Sequence, residues 1–212
     1  MLDAGCGPGS YVSQVSLRAA DLTAFDIASG RLEHVDPSTA RRVCGDVESL
    51  PFRDDSFDVA MAMHMLYHVP DIPAAARELR RVVRPGGVLY ALTNSQHAQR
   101  ELAELVERNG CDPSAGDDFG ALRFSNENGA ELLREGFGDV DLVELTESQL
   151  VVSDADQIVD ELKRNQYLYE PGLGPNVAWD AFVDAVHADA RRVIDRDGAF
   201  RVSEHHGLFT CR

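Results

Sequence analysis

The sequence predicts an α/β protein: a parallel sheet covered by helices on both faces. Three observations carry that expectation. Short apolar runs ending in an acid or a glycine recur along the first hundred residues, amphipathic stretches at helical spacing separate them, and a glycine-rich turn, Gly5-Cys6-Gly7-Pro8-Gly9, follows the first run directly. At 212 residues and 44% hydrophobic content the chain can bury one sizeable core, so a single domain over 1–212 is expected.

The elements follow in order. Met1-Leu2-Asp3-Ala4 opens as a strand and runs into the glycine turn, which leads into a helix. Leu22-Thr23-Ala24-Phe25 ends at Asp26, Arg42-Val43-Cys44 ends at Gly45-Asp46, and residues 57–62 form a nearly continuous apolar run, as strands buried on both faces do. Asp71 caps a helix whose Ala75, Leu79, Val82 and Val83 keep helical spacing, and Arg84-Pro85-Gly86-Gly87 stops it. Val88 to Leu92 is the next strand. Residues 97–109 place Ala98, Leu102, Leu105 and Val106 on one helical face, and Ser125 opens a further helix ended by Gly136.

Residues 150–197 depart from that rhythm as a two-helix insertion. Ser153 with Asp156 has the spacing of a capping box, and Trp179, Phe182, Val183, Val186, Ala190, Val193 and Ile194 recur at helical intervals. Those stripes read as ordinary core contacts. A sharper reading makes Tyr167, Tyr169 and Trp179 line a substrate pocket. The last strand falls at about 199–210.

Composition excludes several functions. Asp and Glu number 36 against 20 Lys and Arg, a net charge of −16 that repels a phosphate backbone, so no nucleic-acid partner is expected. No apolar run approaches the roughly 20 residues that cross a bilayer, and the first residues lack a signal-peptide pattern, so no membrane partner and a cytoplasmic location are expected. Cys6, Cys44, Cys111 and Cys211 are scattered without metal spacing, and His205-His206 have no matching ligand spacing, so no metal is assigned.

The chemistry concentrates at the strand ends. A glycine loop leaving the first strand lets a ligand approach the backbone, and the helix after it offers free N–H groups to a carboxylate or phosphate. Gly5, Gly7 and Gly9 form G-x-G-x-G, however, and the third glycine of the dinucleotide spacing G-x-G-x-x-G is replaced by Ser10. Asp26 and Asp46 end successive strands and point into the same crevice. One carboxylate there can accept from two ribose hydroxyls and the other from an adenine amino group; each taken singly is equally a cap or turn residue.

LDAGCGPGS, FDIASGRL and GDVESLPFRDDSFDVAMAMHMLYHVPD followed by LRRVVRPGG resemble the signatures of the class I S-adenosylmethionine-dependent methyltransferases, small-molecule branch. The match is specific through residue 94 and fades to a similar layout beyond it. The resemblance implies a Rossmann-like doubly wound seven-stranded mixed sheet whose last strand is antiparallel and follows the helical insertion. It implies S-adenosylmethionine as cofactor and a small-molecule methyl acceptor. Asp3, Gly5, Cys6, Gly7 and Gly9 would surround the methionine part, Asp26 would hold the ribose and Ile27 would pack on the adenine. Asp46 and the backbone of Val47 would bind the adenine edge, and Ala62 and Met63 would offer backbone oxygen to the ammonium.

A hydroxyl or carbon acceptor can require a base, and His64 and His68 follow the fourth strand on the cofactor side; either can equally be a packed or capping histidine. The rival readings are a non-catalytic S-adenosylmethionine-binding domain and a nicotinamide-dependent oxidoreductase. The family carries a helical segment ahead of its first strand, so the start at Met1 is expected to be truncated. Otherwise the insertion, with a partner subunit in a homodimer, covers the cleft.

Overall fold

A computed structural model describes residues 1–115 and 123–212. Seven strands, β1 Leu2–Ala4, β2 Thr23–Asp26, β3 Arg41–Cys44, β4 Phe57–Met63, β5 Val83–Asn94, β6 Val140–Val152 and β7 Phe200–Cys211, form one sheet in the order β3-β2-β1-β4-β5-β7-β6. The pairs β1–β2, β2–β3, β1–β4 and β4–β5 are parallel, and β5–β7 is antiparallel with Asn94 opposite His206. The mixed seven-stranded sheet is therefore as expected. Strand order reverses at β1, which has β2 on one side and β4 on the other, and such a switch point opens a crevice beyond the strand ends.

The chain divides into two compact units. The first comprises residues 1–96, the described part of 121–144, and 206–212. Its core packs β1, β4 and β5 against helix α3, Ile72–Val82, through Leu2, Ala60, Leu79, Val82, Leu89 and Phe137. Helix α3 forms where its pattern says: the Asp71 carboxylate accepts from Ala74 N at 2.9 Å, Pro73 sits in the first turn, and Ala75, Ala76, Leu79 and Val82 form the buried stripe. It ends at Val83, whose backbone is already extended. Gly87 is required just beyond, because a Cβ there would lie 2.7 Å from the Asp58 carbonyl oxygen.

The shorter helices of this unit differ from expectation. Helix α1, Val12–Val15, is a single turn of 4 residues, and α2, Ser29–Leu32, is as short. Ser125 does not open a helix. Its N–H donates to Asn128 Oδ1 at 2.8 Å within a turn, and the helix, α5 (numbered in chain order after α4 below), runs only over Gly129–Leu133.

The second unit comprises the described part of 97–120 and residues 145–205. It holds α4 Arg100–Arg108, α6 Ala155–Arg164, the short α7 Gln166–Tyr169 and α8 Trp179–Asp197. Leu105, Ile158, Leu162, Phe182, Val186 and Phe200 form its own apolar core. Tyr169 is buried in that core and Trp179 packs against it, whereas Tyr167 is exposed, so the core reading of these stripes holds for the first two. The capping residue of α6 is Asp154, which accepts from Asp156 N at 3.1 Å, rather than Ser153. Arg108 and Asn109 both bond Asp189 of α8, and the guanidinium holds that carboxyl below its usual value. Among the described residues no helix is long and apolar enough to cross a membrane.

Candidate functional site

The backbone of the glycine turn is shaped by positions only glycine fills readily. Gly5 has φ +68°, and a Cβ on it would lie 2.7 Å from the Met65 side chain; Gly9 has φ +88° and would meet Val35 at 2.9 Å. The turn is tied to the end of β2. Cys6 N donates to the Phe25 carbonyl at 3.0 Å, and Gly7 N donates to Asp26 Oδ2 at 2.8 Å. The other Asp26 oxygen accepts from Ala28 N at 2.8 Å. Each carboxylate oxygen offers two lone pairs, so both keep one for a ligand hydroxyl.

Beyond these strand ends lies a cavity of about 380 Å³. Its wall includes Gly5, Asp26, Ile27, Asp46, Val47, His64 and His68 among the residues named from sequence, together with Arg31, Met65 and Val69, which sequence reasoning did not single out. It does not reach Asp3, Cys6, Gly7, Gly9, Ala62 or Met63. Ile27 is 71% exposed at this wall, an apolar side chain left bare beside a concave site. Asp46 is exposed and its Oδ1 accepts from Glu48 N at 2.9 Å, capping the 3-10 turn Val47–Ser49.

Arg81 of α3 holds the segment that follows. It donates to the Leu50 and Phe52 carbonyls at 3.0 and 2.8 Å and pairs with Glu78 at 2.7 Å, while Glu78 accepts from Leu50 N at 2.8 Å. The guanidinium holds the Glu78 carboxyl below its ordinary value. Glu48 accepts from Asp71 N at 2.7 Å, so the Asp46 turn is fastened to α3 at two points. A signal for this clamp lay in the helical spacing of Glu78 and Arg81, but its partners are 27 to 31 residues away.

Beneath the glycine turn, Asp3 is buried, and neither oxygen of its carboxylate has a hydrogen-bond partner among the described residues. Burial first, and the Asp26 charge second, push its pKa up to about 7. The Cys6 thiol is pushed up to about 12 by burial and by the two acids, so it stays protonated and is no nucleophile. At the other side, His64 is half-buried with its pKa lowered by burial and by His206. His68 is exposed and meets the Tyr67 ring edge to face at 4.6 Å.

One expectation loses its footing. A single-turn α1 has too few aligned peptides for the dipole and free amides that would favour a phosphate at the glycine turn. Among the described residues no group of three or more potential metal ligands gathers.

Residues 2–91 match the family model described as a methyltransferase domain. The malonyl-[acyl-carrier protein] O-methyltransferase of Serratia marcescens is 35% identical over 110 residues, 51% of this chain and 43% of that one. The biotin biosynthesis bifunctional protein BioHC of Cellvibrio japonicus is 38% identical over 96 residues, 44% of this chain and 19% of the relative. The chain thus spans less than half the length of these curated relatives. A solved protein of Anabaena variabilis, assigned as a methyltransferase of an antibiotic biosynthesis pathway, aligns over 100% of this chain and 90% of its own, with TM-score 0.69 and 17% identity. That likeness identifies the fold as the Rossmann-like fold of methyltransferases.

Proposed function

We propose that this chain, which carries the class I methyltransferase fold and a methyltransferase-domain match over residues 2–91, transfers a methyl group from S-adenosylmethionine to a small organic acceptor. The observation that carries the reading is a single cavity whose wall includes Gly5 of the glycine turn, Asp26 at the end of β2, Asp46 just beyond β3, and His64. The buried, unpartnered carboxylate of Asp3 fits the same donor. A carboxylate left without a partner in the interior is costly, and a cationic group beside it relieves that cost.

When bound, the donor supplies a methyl group on a sulfonium, with a neutral thioether as leaving group. The protein's own residues position and shield. Asp26 accepts from the ribose hydroxyls with the lone pairs its two backbone amides leave over. Asp46 and Val47 face the adenine edge, and Ile27 is covered by the ring. Asp3 serves as counter-charge for the amino-acid end, beside Gly5, Cys6, Gly7 and Gly9, with the backbone oxygens of Ala62 and Met63 at the end of β4. His64 and His68 face the acceptor. Holding the reactants in line while excluding water accounts for most of the rate such chemistry needs from a protein.

The Serratia relative is named for a malonyl group on a carrier protein, so malonyl thioesters belong in an acceptor panel. The net charge of −16 disfavours nucleic acid, and four free cysteines suit a reducing, cytoplasmic setting. The test is production of S-adenosylhomocysteine over a panel of malonyl thioesters, phenols, amines and carboxylic acids. Product with any of them supports the enzyme. Tight donor binding with no product from any would leave a non-catalytic binding domain.

A further inference from the structure

His64, Asn94 and His206 are far apart in the chain, and the sheet brings them together. Asn94 and His206 face each other across the antiparallel β5–β7 ladder, and His206 Nδ1 lies 2.8 Å from Asn94 Oδ1. An amide oxygen only accepts, so Nδ1 carries the proton and orients the ring. The strand next to it packs closely as well: a Cβ on Gly207 would lie 2.2 Å from Asn126 Oδ1, so a side chain there would have to push the Asn126 amide aside. The His206 ring then meets the His64 ring edge to face, with centroids 5.5 Å apart and planes at 77°.

His64 is itself held in an unusual conformation. Its φ is 53°, left-handed for a non-glycine residue, and its N–H donates to the Leu92 carbonyl at 2.9 Å. Such a backbone persists only where the surroundings impose it, and it is found disproportionately at functional positions. Among the described residues nothing hydrogen-bonds the His64 ring, which lines the cavity assigned above to the methyl donor. Burial and the neighbouring His206 lower its pKa, so the ring is neutral and keeps a basic lone pair at neutral pH.

We propose that His64 is the base for an acceptor bearing a phenol- or enol-type hydroxyl, and that His206, held by Asn94, is the residue that positions it. The inference rests on the methyltransferase reading above. As the acceptor oxygen forms its bond to the methyl carbon, the hydroxyl proton passes to a His64 ring nitrogen. The electron pair of the breaking carbon–sulfur bond stays on sulfur, and the imidazolium later releases its proton to water. A carboxylate arrives already ionised and needs no base, and Asp26 and Asp46, which line the same cavity as His64, repel it. A neutral amine is nucleophilic without help. A hydroxyl with a pKa near 10 is the acceptor for which a positioned imidazole matters.

The experiment uses the whole chain with phenol, 4-nitrophenol and benzoate as acceptors, with S-adenosylhomocysteine affinity measured alongside. His64→Asn tolerates the left-handed backbone, and together with His206→Ala it forms the test pair. With phenol, kcat is expected to fall about 100-fold or more in His64→Asn, and by a smaller factor in His206→Ala at unchanged KM. The losses should shrink with 4-nitrophenol, about half of which is already ionised at neutral pH, and benzoate should not be methylated. Nitrogen NMR of the ring should show His206 protonated at Nδ1, and Asn94→Ala should abolish that preference. Equal kcat in wild type and His64→Asn, methylation of benzoate in preference to phenol, or bound S-adenosylhomocysteine with no turnover of either phenol would each overturn the inference. Absence of S-adenosylhomocysteine binding would instead overturn the donor site itself.

Discussion

Asp3, in the middle of β1, and Asp26, at the end of the neighbouring β2, carry opposite burdens. Asp26 is satisfied by two backbone amides, whereas Asp3 is buried with none, and its carboxyl titrates near 7 instead of near 3.8. Between those values the folded protein binds more protons at this position than the unfolded chain does. The stabilisation by protonated Asp3 is therefore fully present below about pH 4 and is lost as pH rises through 7. Asp26 is the charged neighbour that adds to this; it raises the Asp3 value further. We predict that Asp3→Asn flattens this part of the stability profile, which denaturant melts near pH 5 and pH 8 would reveal. An unchanged slope would contradict the role given to Asp3. A bound cation should reverse the penalty, so donor affinity should rise with pH in the wild type and stay level in the variant. For Asp26, replacement by Asn keeps the side-chain shape but removes the charge. Cofactor affinity should weaken by about 1 to 3 kcal/mol with the fold retained, as read by calorimetry beside a thermal melt.

At the scale of elements, α3 links the core to the site, because the residues that cap and clamp it also hold the Asp46 turn. Asp71→Ala should cost about 0.5 to 2 kcal/mol of stability through the lost cap. Leu79→Ala, which removes a fully buried side chain from the core, should cost about 2 to 5 kcal/mol. Denaturant titration separates the two ranges. This helix was legible in the sequence because cap and stripe agree along one local stretch, although it stops a residue early, with Val83 and the Arg84-Pro85-Gly86-Gly87 stretch already in β5. Helix α5 was not, since Ser125 spends its backbone N–H on the Asn128 side chain and delays the helix to Gly129. The same held for α6, where Asp154, next to Ser153, took the cap. The gathering of Gly5, Asp26 and Asp46 on one cavity wall was readable because both acids stand at or just beyond the ends of neighbouring strands. The meeting of His64 with His206 was not. It depends on the β5–β7 register, and a slip of one residue would turn His206 to the opposite face. Gly207→Ala, which must push aside the Asn126 amide and the Leu142 methyl, should lower the melting temperature while leaving S-adenosylhomocysteine affinity intact, as a thermal melt beside calorimetry would show.

For the whole molecule, a net charge of −16 means that folded chains repel themselves and one another. Raising salt from low to about 0.2 M should raise the melting temperature by screening that repulsion, and a fall would contradict the assignment of a purely electrostatic burden. Gly5, Asp26, Asp46 and His64 line one cavity in the first unit, and we propose that this cavity takes S-adenosylmethionine. Calorimetric titration of the chain with S-adenosylhomocysteine, and separately with NADH, tests it most directly. We predict saturable one-to-one binding of S-adenosylhomocysteine, weakened in Asp26→Asn, and no binding of NADH, whose pyrophosphate would find only a single-turn helix beyond the glycines. Binding of NADH in place of S-adenosylhomocysteine, or of neither, would contradict the account.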